Sequence, residues 1–285
     1  MNKGETENGA AVAGVVRKLL TVAFLGMTLS VAACSSDNDA EIAYEERAVE
    51  QIYNKAVDYM NEGNFRQAAA EFDEVERQHP YSQWARRATL MAAYCYYEFN
   101  DYDSAILAAQ RFIALHPGNE DVAYAYYLMG MSYYEQISDV GRDQKMTQNA
   151  LSTLSEVVRR FPDTEYARDA RLKVDLTFDH LAGKEMEIGR YYLNRRSYVA
   201  AINRFRQVIV NYQTTTHVPE ALHRLTEAYL SLGIVTEAQT AAAVLGHNFP
   251  GSEWYEDSYA LLAGSDLEPN ENQDSWISKA WKSVF

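Results

Sequence analysis

Cysteine, proline and clustered positive charge are all scarce in this chain of 285 residues. There are two cysteines, Cys34 and Cys95, and with Cys34 committed elsewhere no disulfide supports the fold. Proline occurs six times, four of them at recurring positions, which suits an all-helical chain. Lys and Arg number 26 against 40 Asp and Glu, a formal net charge of −14, and that balance argues against nucleic acid as a main partner. No HExxH, no phosphate-binding glycine loop and no Gly-x-Ser-x-Gly is present. The six histidines are scattered, and His79 and His116 read as structural because each stands just before a repeated proline. No catalytic constellation, metal site or cofactor is expected, so the chain is not read as an enzyme.

The one sustained apolar run, Leu19–Ala33, is too short for a comfortable spanning helix. Arg17 and Lys18 precede it and small residues end it, which is the layout of a secretory signal over residues 1–33. Val31-Ala32-Ala33-Cys34 resembles the bacterial lipobox, in which Cys34 is lipidated and becomes the first mature residue. A plain signal peptide with a chance cysteine is the alternative. Removing residues 1–33 leaves a net charge of −15. Ser35 after the cysteine implies, by the same resemblance, the periplasmic face of the outer membrane, with residues 34–40 as a polar tether. Several acyl chains would anchor firmly, at about 0.8 kcal/mol per buried methylene.

What the chain has in abundance is alanine, tyrosine (21) and a repeat. Ala68 is followed twelve residues later by Pro80, and the frame returns at Ala105–Pro117, Ala150–Pro162 and Ala238–Pro250. A further copy starts at Ala201 but ends on Gln213. The alanines are 37, 45, 51 and 37 residues apart, the range of helix-hairpin solenoids. The pattern matches the tetratricopeptide (TPR) repeat: Gly or Ala where the two helices of a hairpin cross, a tyrosine late in the first helix, and a proline after the second. The fold class is therefore an all-α TPR superhelix of five helix-turn-helix units. Its expected parts are 41–163 with repeats one to three, 164–263 with repeats four and five plus a closing helix, and 264–285 as linker and amphipathic segment. Two irregularities break the frame. A polar loop is inserted at Ile137–Thr147, and extra residues before Gly189 predict one long helix over Glu165–Leu193.

Three surfaces stand out. The first helices of repeats one to three turn inward Tyr53, Val57 and Met60, then Arg87, Leu90, Tyr94 and Tyr97, then Tyr124, Tyr127, Met131 and Tyr134. Six tyrosines and two methionines on one face make an adaptable trough for an extended peptide with aromatic side chains. Packing between helices, with ordinary surface tyrosine, would give the same pattern. The second is a basic island over 159–206, with Arg190, Arg195 and Arg196 beside Tyr191 and Tyr192. It suits an acidic partner surface, or serves only as a solvated helix end. The third places Trp276 and Trp281 at helical spacing after a polar linker, as a partner-docking helix or one that folds back on the last repeat.

The lipobox, the five repeats, the HPYSQWARRA stretch from His79 to Ala88 and the inserted third repeat together resemble the BamD (YfiO/ComL) family of outer-membrane lipoproteins. The block Tyr53–Ala88 carries the resemblance most strongly. It implies a non-enzymatic scaffold of the β-barrel assembly (BAM) complex. By that resemblance the N-terminal repeats recognise targeting signals of unfolded outer-membrane proteins. The C-terminal repeats hold the periplasmic domain of BamA, with BamC and BamE nearby. A different TPR lipoprotein, serving pilus assembly or cell division, is the rival reading.

Overall fold

The computed structural model describes residues 46–283. The leader, Cys34 and the tether lie outside the described residues, as do Val284 and Phe285. Among the described residues every regular element is a helix. They are α1 (Val49–Asn61), α2 (Phe65–Gln78), α3 (Gln83–Glu98), α4 (Tyr102–Leu115), α5 (Val122–Glu135) and α6 (Lys145–Arg160). There follow α7 (Glu165–Asn194), α8 (Tyr198–Asn211), α9 (Val218–Ser231), α10 (Val235–Asn248), α11 (Glu253–Ala263) and α12 (Trp276–Lys282). Consecutive helices α1 to α10 pack pairwise, and α1, α3, α5 and α7 also touch one another in sequence. Odd-numbered helices thus form one layer and even-numbered helices the other, as the TPR pattern requires.

The alanine frame does what its size predicts. Ala68, Ala105, Ala150, Ala201 and Ala238 are all fully buried where paired helices cross. On the facing helices, Gly130 and Gly189 leave no room for a side chain. A Cβ at Gly130 would stand 2.6 Å from Leu154 Cδ2, and one at Gly189 2.3 Å from Phe205 Cε1. Phe72, Phe112 and Phe205 fill the hairpin interiors completely, each contributing about 1.5–3 kcal/mol by burial. Cys95 is a buried hydrophobe as expected, its thiol pushed up to about 12 by desolvation and then by Glu98.

Turns between paired helices need a left-handed residue to stop the first helix. Gly63 and Gly233 take it at φ +76° and +72°, and Asn100 at +66°. In the fourth hairpin Arg196 takes it at +58°, a conformation that L side chains disfavour. One of the three candidate docking arginines is therefore also a turn residue.

The second helices end alike whether or not proline follows. His79, His116, Phe161, Tyr212 and Phe249 cap them with φ between −130° and −134° and ψ between 42° and 57°. Tyr212 does so before Gln213, so the proline reinforces a stop that the aromatic or His cap already makes. These rings are held: Phe161 lies 6.1 Å from Tyr126, Tyr212 6.0 Å from Phe178 and Phe249 5.9 Å from Trp281. His79 Nε2 sits 2.7 Å from the Arg47 carbonyl oxygen.

The strict frame suggests one length for all second helices, and one of them departs from it. Four have 14 residues, but α6 has 16 because it begins earlier, at Lys145. The inserted loop is correspondingly 136–144, and it is ordered by a buried Gln144. That side chain donates to the Arg142 carbonyl at 3.0 Å and accepts from Thr147 Oγ1 at 2.9 Å. The long helix appears as expected: α7 runs 30 residues without a break. Its N-terminal part packs on α6, and its C-terminal part pairs with α8.

Candidate functional site

The tyrosine positions divide when placed in three dimensions. Leu90 and Met131 are buried at 8% and 6% exposure and belong to the core. Tyr53 is wedged between α2 and α3, its ring 5.4 Å from Phe72 and 4.7 Å from Trp84. Val57 and Met60 pack on the same first-hairpin core. Arg87 is exposed at the N-terminal end of α3. The remaining five tyrosines lie half-buried along α3 and α5 and form a strip that continues onto α7.

The strip is built from rings that touch. Tyr94 meets Phe65 edge-on at 6.2 Å, and Tyr97 lies 5.8 Å from Tyr102. Tyr124 and Tyr127 both lean on Tyr166, at 5.2 and 5.4 Å. Tyr127 Oη donates to Asp169 Oδ2 at 2.8 Å, and Lys173 Nζ sits 4.8 Å from the Tyr134 ring centre. Tyr166, Asp169 and Lys173 were not singled out from sequence, because they belong to the start of α7, outside the first three repeats. Their signal is the periodicity of the next first helix, which places Tyr166, Asp169 and Lys173 along one face.

Electrostatics give the strip a sign. Burial and then Glu135 push the Tyr97 hydroxyl up to about 12. Burial and then the bonded Asp169 raise Tyr127, while burial and then Glu98 raise Tyr94. Tyr124, the most enclosed of the five, is raised mainly by desolvation. These four stay protonated at neutral pH, and the charged groups that raise them are carboxylates.

Two arginines of the basic island are held in ion pairs that reach other helices. Arg190 Nη1 donates to Glu220 at 2.9 Å and Arg204 Nη1 to Glu185 at 3.1 Å. Arg195 lies 4.7 Å from the exposed Tyr191 ring, and Arg195 and Arg196 both face solvent. Trp276 and Trp281 are not held out for a partner. Helix α12 folds back on α8 and α10. Trp276 Nε1 donates to Tyr229 Oη at 2.9 Å under the Arg206 guanidinium, 4.8 Å away, and Trp281 is 8% exposed. The linker before it is tied along α10, through Gln239 Nε2 to the Glu268 carbonyl at 2.8 Å and Asn272 N to Thr240 Oγ1 at 3.2 Å. Cys34 lies outside the described residues. Among those residues no cluster of His, Cys, Asp and Glu could hold a metal, and no helix is long and apolar enough to cross a membrane.

Comparison with known proteins follows the repeat block. The family described as YfiO, outer membrane lipoprotein, matches residues 45–262. An outer membrane protein assembly factor BamD from Caulobacter vibrioides is 51% identical over 254 residues, 89% of this chain and 83% of its own. The Rickettsia prowazekii BamD is 44% identical, covering 86% of this chain and 96% of its own, and that of Neisseria meningitidis serogroup A is 35% identical, covering 83% and 93%. A thermophilic TPR protein of Thermus thermophilus aligns with 75% of this chain and 98% of its own at 20% identity, but its TM-score of 0.37 supports no argument. On the family match and these identities, the chain belongs to the YfiO family of outer membrane lipoproteins, whose curated relatives are BamD assembly factors.

Proposed function

We propose that this protein is a non-enzymatic scaffold of outer-membrane protein assembly, acting within a BAM complex. Its family membership supports that role. The observation that carries the finer reading is the half-buried tyrosine strip on α3, α5 and α7. Half-buried aromatic faces suit an extended, unfolded segment, because they supply contact area at low entropy cost and pack against a chain without choosing a sequence. Unfolded outer-membrane proteins are the proposed ligand of this strip. The exposed Arg195 and Arg196 at the end of α7 are the proposed contact for the BamA periplasmic domain, with Arg190 held in place by Glu220, and the other BAM lipoproteins gather on the same end. Cys34 carries the lipid that holds the scaffold at the periplasmic face of the outer membrane.

The test separates the two surfaces. Tyr97→Ala combined with Tyr127→Ala weakens binding of an aromatic-containing outer-membrane protein peptide by about tenfold or more, while co-purification with BamA is unchanged. Arg195→Glu with Arg196→Glu does the reverse. Unchanged peptide affinity in the tyrosine variant sinks the trough, and wild-type BamA recovery in the arginine variant sinks the second contact.

A further inference from the structure

We propose that the tyrosine strip selects segments carrying a Lys or Arg beside their aromatic residue and disfavours acidic ones; this rests on the peptide-binding reading above. The argument comes from how the carboxylates are distributed. On α2 they are neutralised: Glu71 by Arg47 and Lys55 at 3.0 and 2.7 Å, Glu74 by Arg77, and Glu76 by Arg111 at 3.0 Å. The strip is the opposite. Among the described residues, no Lys or Arg lies within ion-pair distance of Glu98, Glu135 or Asp169. Glu98 ends α3 and Glu135 ends α5, on adjacent helices of one layer. Each acts on tyrosines of both helices: Glu98 on Tyr94, Tyr97 and Tyr124, and Glu135 on Tyr97 and Tyr127. The two carboxylates therefore converge on one aromatic patch. Asp169 adds a third, fixed by the Tyr127 hydroxyl.

Unpaired carboxylates flanking half-buried rings create a local negative potential with low-dielectric walls behind it. A cation arriving there gains both the carboxylates and the ring faces. The strip already shows the second mode, with Lys173 over Tyr134. An arriving carboxylate meets like charge at Glu98, Glu135 and Asp169. The aromatic rings supply affinity for any extended segment, and the glutamates supply the choice among segments.

The test uses the full-length chain in detergent and two short peptides, identical except that Lys flanks a central Phe in one and Glu in the other. Affinities are measured by fluorescence anisotropy at about 0.1 M salt, where the Debye length is about 10 Å. The Lys peptide is expected to bind about tenfold more tightly, roughly 1.4 kcal/mol. In Glu98→Gln with Glu135→Gln that preference falls to about threefold or less, because Gln keeps an acceptor for the tyrosine hydroxyls but carries no charge. Equal affinities, a preference for the Glu peptide, or a Lys preference that survives intact in the double variant would overturn the proposal. Failure of both peptides to bind the unmodified chain would instead overturn the trough reading itself.

Discussion

The first three hairpins and the last two use the same frame to opposite ends. In α1 to α6 the aromatic surplus lies along the first-helix layer as a half-buried strip, with carboxylates that have no cation. In α8 to α12 most of the large rings are consumed internally. Trp276 bonds Tyr229, Trp281 meets Phe249, and His223 donates or accepts at Ser258 Oγ, 2.9 Å away, beside Trp254 at 5.3 Å. One end leaves its adhesive side chains available, whereas the other uses them to close the array. A solenoid needs such a closed end, because its last repeat has no neighbour to cover it.

The crossing glycines give the sharpest comparison between the two ends. Gly189→Ala drives a methyl into the fully buried, rigid Phe205 ring, and a loss of about 1–3 kcal/mol is expected by urea denaturation. Gly130→Ala meets the fully buried Leu154 at 2.6 Å from Cδ2 and 2.9 Å from Cγ. A branched side chain gives more than a ring, and helix propensity returns about 1 kcal/mol, so a smaller loss is expected. Equal losses at both sites would show that the two crossings are equally unyielding.

Closure by α12 gives the next largest effect. Trp276→Ala removes the bond to Tyr229 and the Arg206 stacking, a loss of about 1–2 kcal/mol. Amide exchange across α12 and the facing part of α10 should quicken while α3 and α5 are unaffected. Faster exchange in α3 or α5 would mean that the ends are coupled along the array.

The smallest expected effect is a pH dependence confined to the closed end. Desolvation, and then Arg224, hold the buried His223 below its usual 6.5, against the opposing pull of Glu227, Asp257 and Glu220. As pH falls from about 7.5 to about 5.5, the unfolded chain takes up a proton that the folded chain refuses, so stability falls with pH. His223→Asn keeps a bonding partner for Ser258 and should flatten that slope. An unchanged slope would place the acid sensitivity elsewhere.

The fold was legible because its rules are local. A residue too large at Ala68 or Gly189, or a helix running past Pro80, would violate constraints that act within one hairpin. The ring caps His79, Phe161 and Tyr212 are equally local, but the prolines after most of them give the stronger signal in the sequence. The trough was only partly legible. Tyr94, Tyr97, Tyr124, Tyr127 and Tyr134 could be placed on one face by periodicity. Leu90 and Met131 share that face, yet neighbouring helices cover them, and counting along one helix does not reveal a neighbour's reach.

By itself, the amino-acid sequence determined the repeat, the helix ends and the long α7, since each is set by contacts a few residues apart. Only the tertiary structure decided which carboxylates stay without a cation and what becomes of the C-terminal tryptophans. Those outcomes depend on partners far along the chain: Asp169 lies 42 residues from Tyr127, and Trp276 lies 47 from Tyr229. Side chains so distant are brought together by the stacking of whole hairpins, and no spacing within a single helix encodes which of them will meet.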